Sequence, residues 1–208
     1  MKRRILATAA AATLAACASA PVVQHSKMTD GELAEITAVL KRDFRAKGQA
    51  KMDRLDQDAV QRACNLHADN PPESVTKPLE QAQLKAIKFP NGSFMGDWKS
   101  GAKIAASGRG MQWSEKPGSP GGGGCYNCHQ LSPAQTSYGT IGPSLKGFGK
   151  VRGNTPETQR YAYGKIYNAK AYSLCSHMPR FGHSGSLTEQ QIKDVVAYLV
   201  DPNSPVNK

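Results

Sequence analysis

The sequence has no apolar run long enough for a permanent membrane span. Its longest apolar stretch, from Ile5 to Ala16, falls short of the roughly 20 residues that a helix needs to cross the hydrocarbon core. Acidic residues are also scarce, with 16 Asp and Glu against 27 Lys and Arg. The basic residues are scattered and few aromatic residues lie among them, so we expect no nucleic-acid binding.

The first twenty residues have the layout of a secretory leader. Lys2, Arg3 and Arg4 precede the apolar stretch, and small residues follow it. We predict a signal peptide over residues 1–20, cleaved after Ala20, and a mature protein in the periplasm. The alternative is a lipoprotein box ending at Cys17, which would become acylated and hold the protein on a membrane surface.

The sequence also lacks β-strand alternation, internal repeats and a second CxxC motif. We therefore predict an all-α protein with long loops. Composition changes near residue 90 and divides the mature chain into a helical extension, residues 21–90, and a second domain, residues 91–208.

Several helices are predicted from capping signals and apolar periodicity. Thr29 and Glu32 have the spacing of a capping box, and the helix they begin should continue as far as Gly48. A second helical stretch should end at Asn70-Pro71-Pro72. A short helix from Pro78 to Ile87 should follow a Thr76 cap, because proline is well placed in a first helical turn.

Two more helices are predicted in the second domain. Asp97 should cap a helix in which Gly101 is either a weak point or a site of close helix contact. Thr188 and Gln191 form a capping box at the start of the last helix, and Asp201-Pro202 ends it. That last helix carries one apolar stripe, formed by Ile192, Val195, Val196 and Leu199.

The segment Cys125-Tyr126-Asn127-Cys128-His129 carries the chemistry. Its spacing lets each thiol add to one vinyl group of a haem while the adjacent imidazole reaches the iron. A zinc site would need further cysteines, and a thioredoxin-type motif would need a βαβ context that is missing here. We predict one covalently attached haem c on Cys125 and Cys128, with His129 as an iron ligand.

The sixth ligand should come from a distant segment that reaches the opposite haem face. Met178 is our prediction, because it precedes a stiffening proline in a loop just before the last helix. A neutral thioether favours ferrous iron and raises the reduction potential, as an electron acceptor requires. His177 is the competing ligand and would give a lower potential.

The two cysteines still unassigned are Cys64 and Cys175. Exported thiols usually pair, so we predict a disulfide that clips the extension to the segment carrying Met178. The alternative is a free thiol at Cys175, which could take part in sulfur chemistry or compete as a ligand.

The order of these motifs resembles the class I cytochrome c fold. The segments Ile141–Leu145, Cys175–Gly182 and Leu187–Ile192 further resemble SoxX, the haem subunit of the SoxAX complexes of sulfur oxidation. That resemblance runs from about Phe94 to Asn207, while the extension resembles one that only some SoxX proteins carry.

What the SoxX resemblance implies is a subunit of an L-cysteine S-thiosulfotransferase. SoxAX joins thiosulfate oxidatively to a cysteine of the carrier SoxYZ, and the catalytic haem lies in the partner SoxA, so no catalytic residue is expected in this chain. Its His/Met haem would accept electrons from SoxA and pass them to a soluble cytochrome c. A free-standing electron carrier without a sulfur role is the rival hypothesis, and the extension argues against it.

Overall fold

The computed structural model describes residues 26–208. The predicted leader, with Cys17 and Ala20, lies outside the described residues. Over residues 26–208 the regular secondary structure is helical, apart from one antiparallel bridge between Lys47 and Ala50, and long loops connect the helices. The prediction of an all-α fold with long loops is confirmed. None of the helices in this range has both the length and the apolar character needed to cross a membrane.

The extension begins with the predicted capping box. The Thr29 hydroxyl accepts from the Glu32 N–H at 3.2 Å, and a Glu32 carboxylate oxygen accepts from the Thr29 N–H at 2.7 Å. Helix α1 spans Asp30–Asp43 and ends earlier than predicted. Gly48 lies in the turn beyond, where φ is +54° and glycine avoids the strain of a side chain.

Two more helices of the extension follow, α2 over Ala59–Leu66 and α3 over Glu73–Lys85. The predicted start of a helix after Thr76 is wrong, because the Thr76 N–H already donates to the Pro72 carbonyl at 2.9 Å. Pro78 therefore lies inside α3 and not in its first turn.

Four helices build the rest of the chain. They are α4 over Trp98–Ala106, α5 over Phe148–Arg152, α6 over Pro156–Tyr167 and α7 over Glu189–Val200. Asp97 caps α4 as predicted, accepting from the Ser100 N–H at 2.9 Å. Short 3-10 turns occupy Met52–Leu55, Cys125–Asn127, Ala169–Ala171 and Pro205–Asn207.

Packing of α7 against α4 forms the centre of the main core. A Cβ placed on Gly101 would lie 2.0 Å from the Asp194 carbonyl oxygen, so this glycine marks a close helix contact and not a weak point. The apolar stripe predicted for α7 is buried, with Ile192 and Val196 fully inaccessible. Burial of each such side chain stabilises the fold by about 1.5–3 kcal/mol.

Helix α6 was not predicted, although its start has ordinary capping chemistry. The Thr155 hydroxyl accepts from the Thr158 N–H and Pro156 occupies the first turn. Tyr163 and Tyr167 lie four residues apart on one face of this helix, with ring centroids 6.0 Å apart. Tyr163 is fully buried, so this tyrosine has a packing role.

A second, smaller core joins the extension to the segment that precedes α7. Val60 and Cys64 of α2 are buried there against Leu174, with Leu79 and Cys175 at the edge. The last residues of the extension, Ile87 and Phe89, contact the main core instead. The extension therefore contacts the following domain in the smaller core and in the main core. The division of the chain at residue 90 stays a proposal.

Candidate functional site

The CYNCH motif forms one tight helical turn. Cys125–Asn127 is a 3-10 turn that begins after Gly124, and the His129 N–H donates to the Cys125 carbonyl at 2.9 Å. Neither Cys125 nor Cys128 is in a disulfide. Burial raises the pKa of the Cys125 thiol to about 11, opposite to the lowered pKa of redox-active or metal-binding thiolates.

The His129 ring is oriented by a carbonyl group. Its Nδ1 lies 2.7 Å from the Pro143 oxygen. Because a carbonyl can only accept, Nδ1 carries a proton, and in the neutral ring Nε2 keeps its lone pair. A backbone carbonyl on the other ring nitrogen is the usual partner of a histidine that ligates a metal. The ring lies against Gly142, where an added Cβ would be 2.2 Å from the imidazole Cε1.

Backbone hydrogen bonds hold the loop with Gly142 and Pro143 against the motif. The Gly142 N–H donates to the Cys128 carbonyl at 2.9 Å, the Leu145 N–H donates to the Gln130 carbonyl at 2.8 Å, and the Gly139 N–H donates to the Tyr126 carbonyl at 2.8 Å. These three bonds fix the Pro143 carbonyl where it can orient the imidazole.

The Met178 segment is attached to the end of α6. The N–H groups of Gly182 and His183 both donate to the Tyr167 carbonyl, at 3.1 and 3.0 Å. The Tyr167 ring covers Gly182, where a Cβ would lie 2.2 Å from a ring carbon. Any larger residue at position 182 would displace the ring or the loop.

Met178 and His177 point to different surroundings. Met178 is partly buried and packs against the main core, as does Cys125 of the CYNCH turn. The His177 side chain is 80% exposed and its Nε2 lies 3.5 Å from the Asp69 carboxylate. This difference favours Met178 over His177 as the second axial ligand.

The donor set fits a c-type haem. Two unpaired thiols stand three positions apart, an imidazole offers a free Nε2, and a thioether faces the same core. The close approach of Gly123 to the Cys125 sulfur, where a Cβ would lie 2.9 Å away, leaves that thiol without a crowding side chain.

Cys64 and Cys175 form the disulfide predicted from the sequence, with their Cα atoms 5.5 Å apart. It links α2 of the extension to the residue three positions before Met178. Since Cys175 is paired, it is not available as a free thiol or as a competing ligand while the disulfide is intact.

A hydrogen-bonded tyrosine pair that was not predicted lies beside the motif. The hydroxyl groups of Tyr126 and Tyr198 are 2.6 Å apart, which connects the CYNCH turn to α7. Burial, followed by the bond to Tyr126, raises the pKa of Tyr198. Tyr198 lies three residues after Val195 on the apolar face, so helical periodicity could have indicated its burial but not its partner.

The surroundings of Arg180 were not predicted either. The Arg180 guanidinium contacts Asp58 at 2.6 Å and Gln83 at 3.4 Å, both in the extension. No local sequence signal connects residues so far apart. The Asp58–Gln61 spacing, by contrast, is a capping-box signal that could have located the start of α2.

Comparison with known proteins identifies a family and similar chains. Residues 122–201 match the cytochrome c family. An uncharacterized lipoprotein of Aquifex aeolicus (strain VF5) is 36% identical over 193 residues, which cover 90% of this chain and 91% of that protein. SoxXA from P. pantotrophus, a crystal structure, is similar at 28% identity over 57% of this chain and 90% of that one, with a TM-score of 0.39.

Proposed function

We propose that the protein is an exported electron-transfer subunit, because the chain belongs to the same family as the Aquifex aeolicus lipoprotein and contains a cytochrome c domain that carries one covalent haem c. In this proposal His129 and Met178 are the axial ligands. The observation that carries the ligand assignment is the orientation of the His129 ring, whose Nδ1 is bound to the Pro143 carbonyl so that Nε2 is free. Cys125 and Cys128 would provide the two thioether links.

The residues of this chain have separate tasks in that proposal. Haem supplies one-electron chemistry at the site. The Pro143 carbonyl holds the imidazole in one orientation, and the attachment of Gly182 and His183 to Tyr167 holds the segment with Met178. A neutral thioether ligand favours the reduced state, which suits an electron acceptor.

The ligand assignment is tested on the oxidised protein. A His/Met haem shows a weak far-red charge-transfer band from sulfur to iron, and Met178→Ala should abolish it. His177→Ala is the matched control, because it changes the adjacent exposed side chain and should leave the band in place. Retention of the band in Met178→Ala would show that another residue is the ligand.

We further propose that the chain is a SoxX-type subunit. The support is the sequence resemblance in three segments, Ile141–Leu145, Cys175–Gly182 and Leu187–Ile192. The first contains Pro143, whose carbonyl binds the His129 ring, the second contains Met178, and the third includes the start of α7. In that role the chain accepts electrons from a SoxA-type partner while thiosulfate is joined to a SoxYZ cysteine, and passes them to a soluble cytochrome c.

The extension supports a permanent partner over a free-standing carrier. Helix α1 buries only Leu33, while Ile36, Val39 and the following Phe44 are 47%, 42% and 55% exposed. Ile36 and Val39, three residues apart, are neighbours on the helix surface, and neighbouring exposed apolar side chains often mark a contact surface. A small free carrier needs only its haem domain, whereas in a heterodimer the partner subunit would bury these exposed apolar side chains.

Affinity purification of the tagged chain from its own host tests this role. A SoxA-type cytochrome should co-purify in a one-to-one ratio, and the pair should reduce a soluble cytochrome c when thiosulfate and SoxYZ are added. Recovery of the haem protein alone, fully active as an electron carrier, would favour the free-standing alternative.

We propose periplasmic localisation with one of two mature N-termini. Cleavage after Ala20 releases a soluble protein, whereas cleavage before Cys17 leaves an acylated anchor. The name of the Aquifex relative, a lipoprotein, favours Cys17. Intact mass of the mature protein distinguishes the two, and Cys17→Ser should release the protein from membranes only if the anchor is real.

A further inference from the structure

Helix α2 of the extension is joined to the Met178 segment at two points, one on each side of the methionine. The Cys64–Cys175 disulfide lies three residues before Met178. The pair formed by Asp58 and Arg180 lies two residues after it, with Arg180 Nη1 2.6 Å from Asp58 Oδ2. One short helix thus holds both ends of the segment that presents the thioether.

The Asp58–Arg180 pair is better protected than the other ion pairs of residues 26–208. The Arg180 side chain is 13% exposed and that of Asp58 is 36% exposed. In one of the exposed pairs of the same extension, Lys41 and Asp56 are 50% and 59% exposed. Exposed ion pairs contribute little to the free energy of folding, whereas removal of one partner from a shielded pair leaves an unpaired charge that costs free energy.

Asp58 is also held by contacts that do not involve Arg180. Its Oδ1 accepts from the Gln61 N–H at 2.8 Å, and its own N–H donates to the Gln61 side-chain oxygen at 3.0 Å. Oδ2 remains for the guanidinium. The capping box of α2 therefore holds the carboxylate in place, and little side-chain freedom is lost when the ion pair forms.

Arg180 has a second partner in α3. Its Nη1 lies 3.4 Å from the Gln83 side-chain oxygen, which also accepts from the Asn168 amide at 2.9 Å. The Glu80 carboxylate accepts from the Leu174 N–H at 3.0 Å. The extension thus binds the chain from Asn168 to Arg180 at several points around Met178.

We propose that Asp58 is a positioning residue for Met178, acting through Arg180 to keep the methionine segment closed. The inference rests on Met178 as the axial ligand, which is part of the proposed function. Opening of the segment would move the Met178 thioether away from the haem iron and let an external ligand bind there instead. The ion pair and the disulfide both oppose this opening, because each fixes one end of the segment to α2.

Imidazole binding to the oxidised holoprotein measures the opening directly. Imidazole displaces the thioether, and the far-red charge-transfer band disappears as it binds. Asp58→Asn keeps an oxygen for the helix cap but removes the charge. We expect it to tighten imidazole binding about five-fold, which at 1.4 kcal/mol per ten-fold corresponds to about 1 kcal/mol.

Asp56→Asn is the matched control, because it removes the same charge from the exposed Lys41 pair two residues away. Its imidazole affinity should equal that of the wild type. Arg180→Gln should reproduce the effect of Asp58→Asn, and the double variant should add nothing further, since both changes break one interaction. Arg180→Lys should give a smaller effect.

Two results would overturn the inference. One is an Asp58→Asn protein that binds imidazole as Asp56→Asn does while its charge-transfer band is intact. The other is a lower denaturation midpoint with unchanged imidazole affinity, which would make the role of Asp58 purely structural. If Asp58→Asn fails to fold, Arg180→Gln and Arg180→Lys make the same measurement.

Failure of the ligand assignment gives a different result. In that case either Met178→Ala keeps the far-red band, because another methionine is the ligand, or the wild type lacks the band, because a nitrogen ligand such as His177 is bound. Imidazole titration of the wild type then does not report on the methionine segment. Met178→Ala is therefore measured first. Only a band that depends on Met178 makes the Asp58 comparison a test of positioning.

Discussion

Removal of the Cys64–Cys175 disulfide should lower the free energy of unfolding by an amount that follows from its position. The bond joins residues 111 positions apart. In the chain-entropy model, closing a loop of that length restricts the unfolded chain at a cost of about 4–5 kcal/mol. For a chain of this size, at 2–4 °C per kcal/mol, that corresponds to a drop in Tm of roughly 8 to 20 °C.

Alanine is the better replacement for both cysteines. Cys64 is 4% exposed and packs with Val60 and Leu174, so a serine hydroxyl would be buried among apolar side chains that cannot form a hydrogen bond with it. Guanidinium denaturation of the holoprotein, followed by far-UV circular dichroism, gives the free energy of unfolding by linear extrapolation. Reductant is added only to the sample of reduced wild type.

Packing and cross-linking can be separated within the same experiment. Cys64→Ala, Cys175→Ala, the double variant and the reduced wild type all lose the same loop constraint, but they differ in the atoms removed from the small core. Similar losses in all four would assign the effect to the cross-link. A loss below about 1 kcal/mol in all four would refute the chain-entropy reasoning for this protein.

Three other predictions concern the haem site and the main core. Protein made in a host with haem-attachment machinery should carry one haem that survives denaturation and acid extraction, while Cys125→Ala or Cys128→Ala should leave at most one thioether; unmodified mass would contradict the attachment. Gly142→Ala should displace the His129 ring, since the new Cβ would lie 2.2 Å from Cε1, and should change the reduction potential or lower haem incorporation; a wild-type potential and yield would show that the ring has room. Gly101→Ala should destabilise the protein by about 1–3 kcal/mol through overpacking against α7, despite the better helix propensity of alanine; denaturation measures it, and a gain in stability would argue against the close contact.

Features that depend on neighbours in the sequence were predicted well. The Thr29–Glu32 and Thr188–Gln191 capping boxes need only residues three apart in a helical turn, so the pattern largely determines the bonds. Capping by Asp97 is local in the same way. The CYNCH spacing likewise predicts covalent attachment, because both thiols and the imidazole lie within one turn of chain.

Local signals failed where several patterns competed. The start predicted after Thr76 overlooked that α3 begins upstream, where Pro72 supplies the first carbonyl. Helix α6 was not predicted because its tyrosines give no clear apolar periodicity. A tyrosine can be exposed like Tyr161 or buried like Tyr163, and the sequence does not distinguish the two.

Only the tertiary structure decided how the extension meets the methionine segment. Elimination among the cysteines pointed to Cys64 and Cys175, but nothing in the sequence indicated the pairing of Asp58 with Arg180. Nor could the sequence show that His177 faces solvent while Met178 packs on the core. The physical reason is that a capping bond forms within one turn of any helix, whereas these contacts exist only after α2, α3 and α6 have packed and brought distant side chains together.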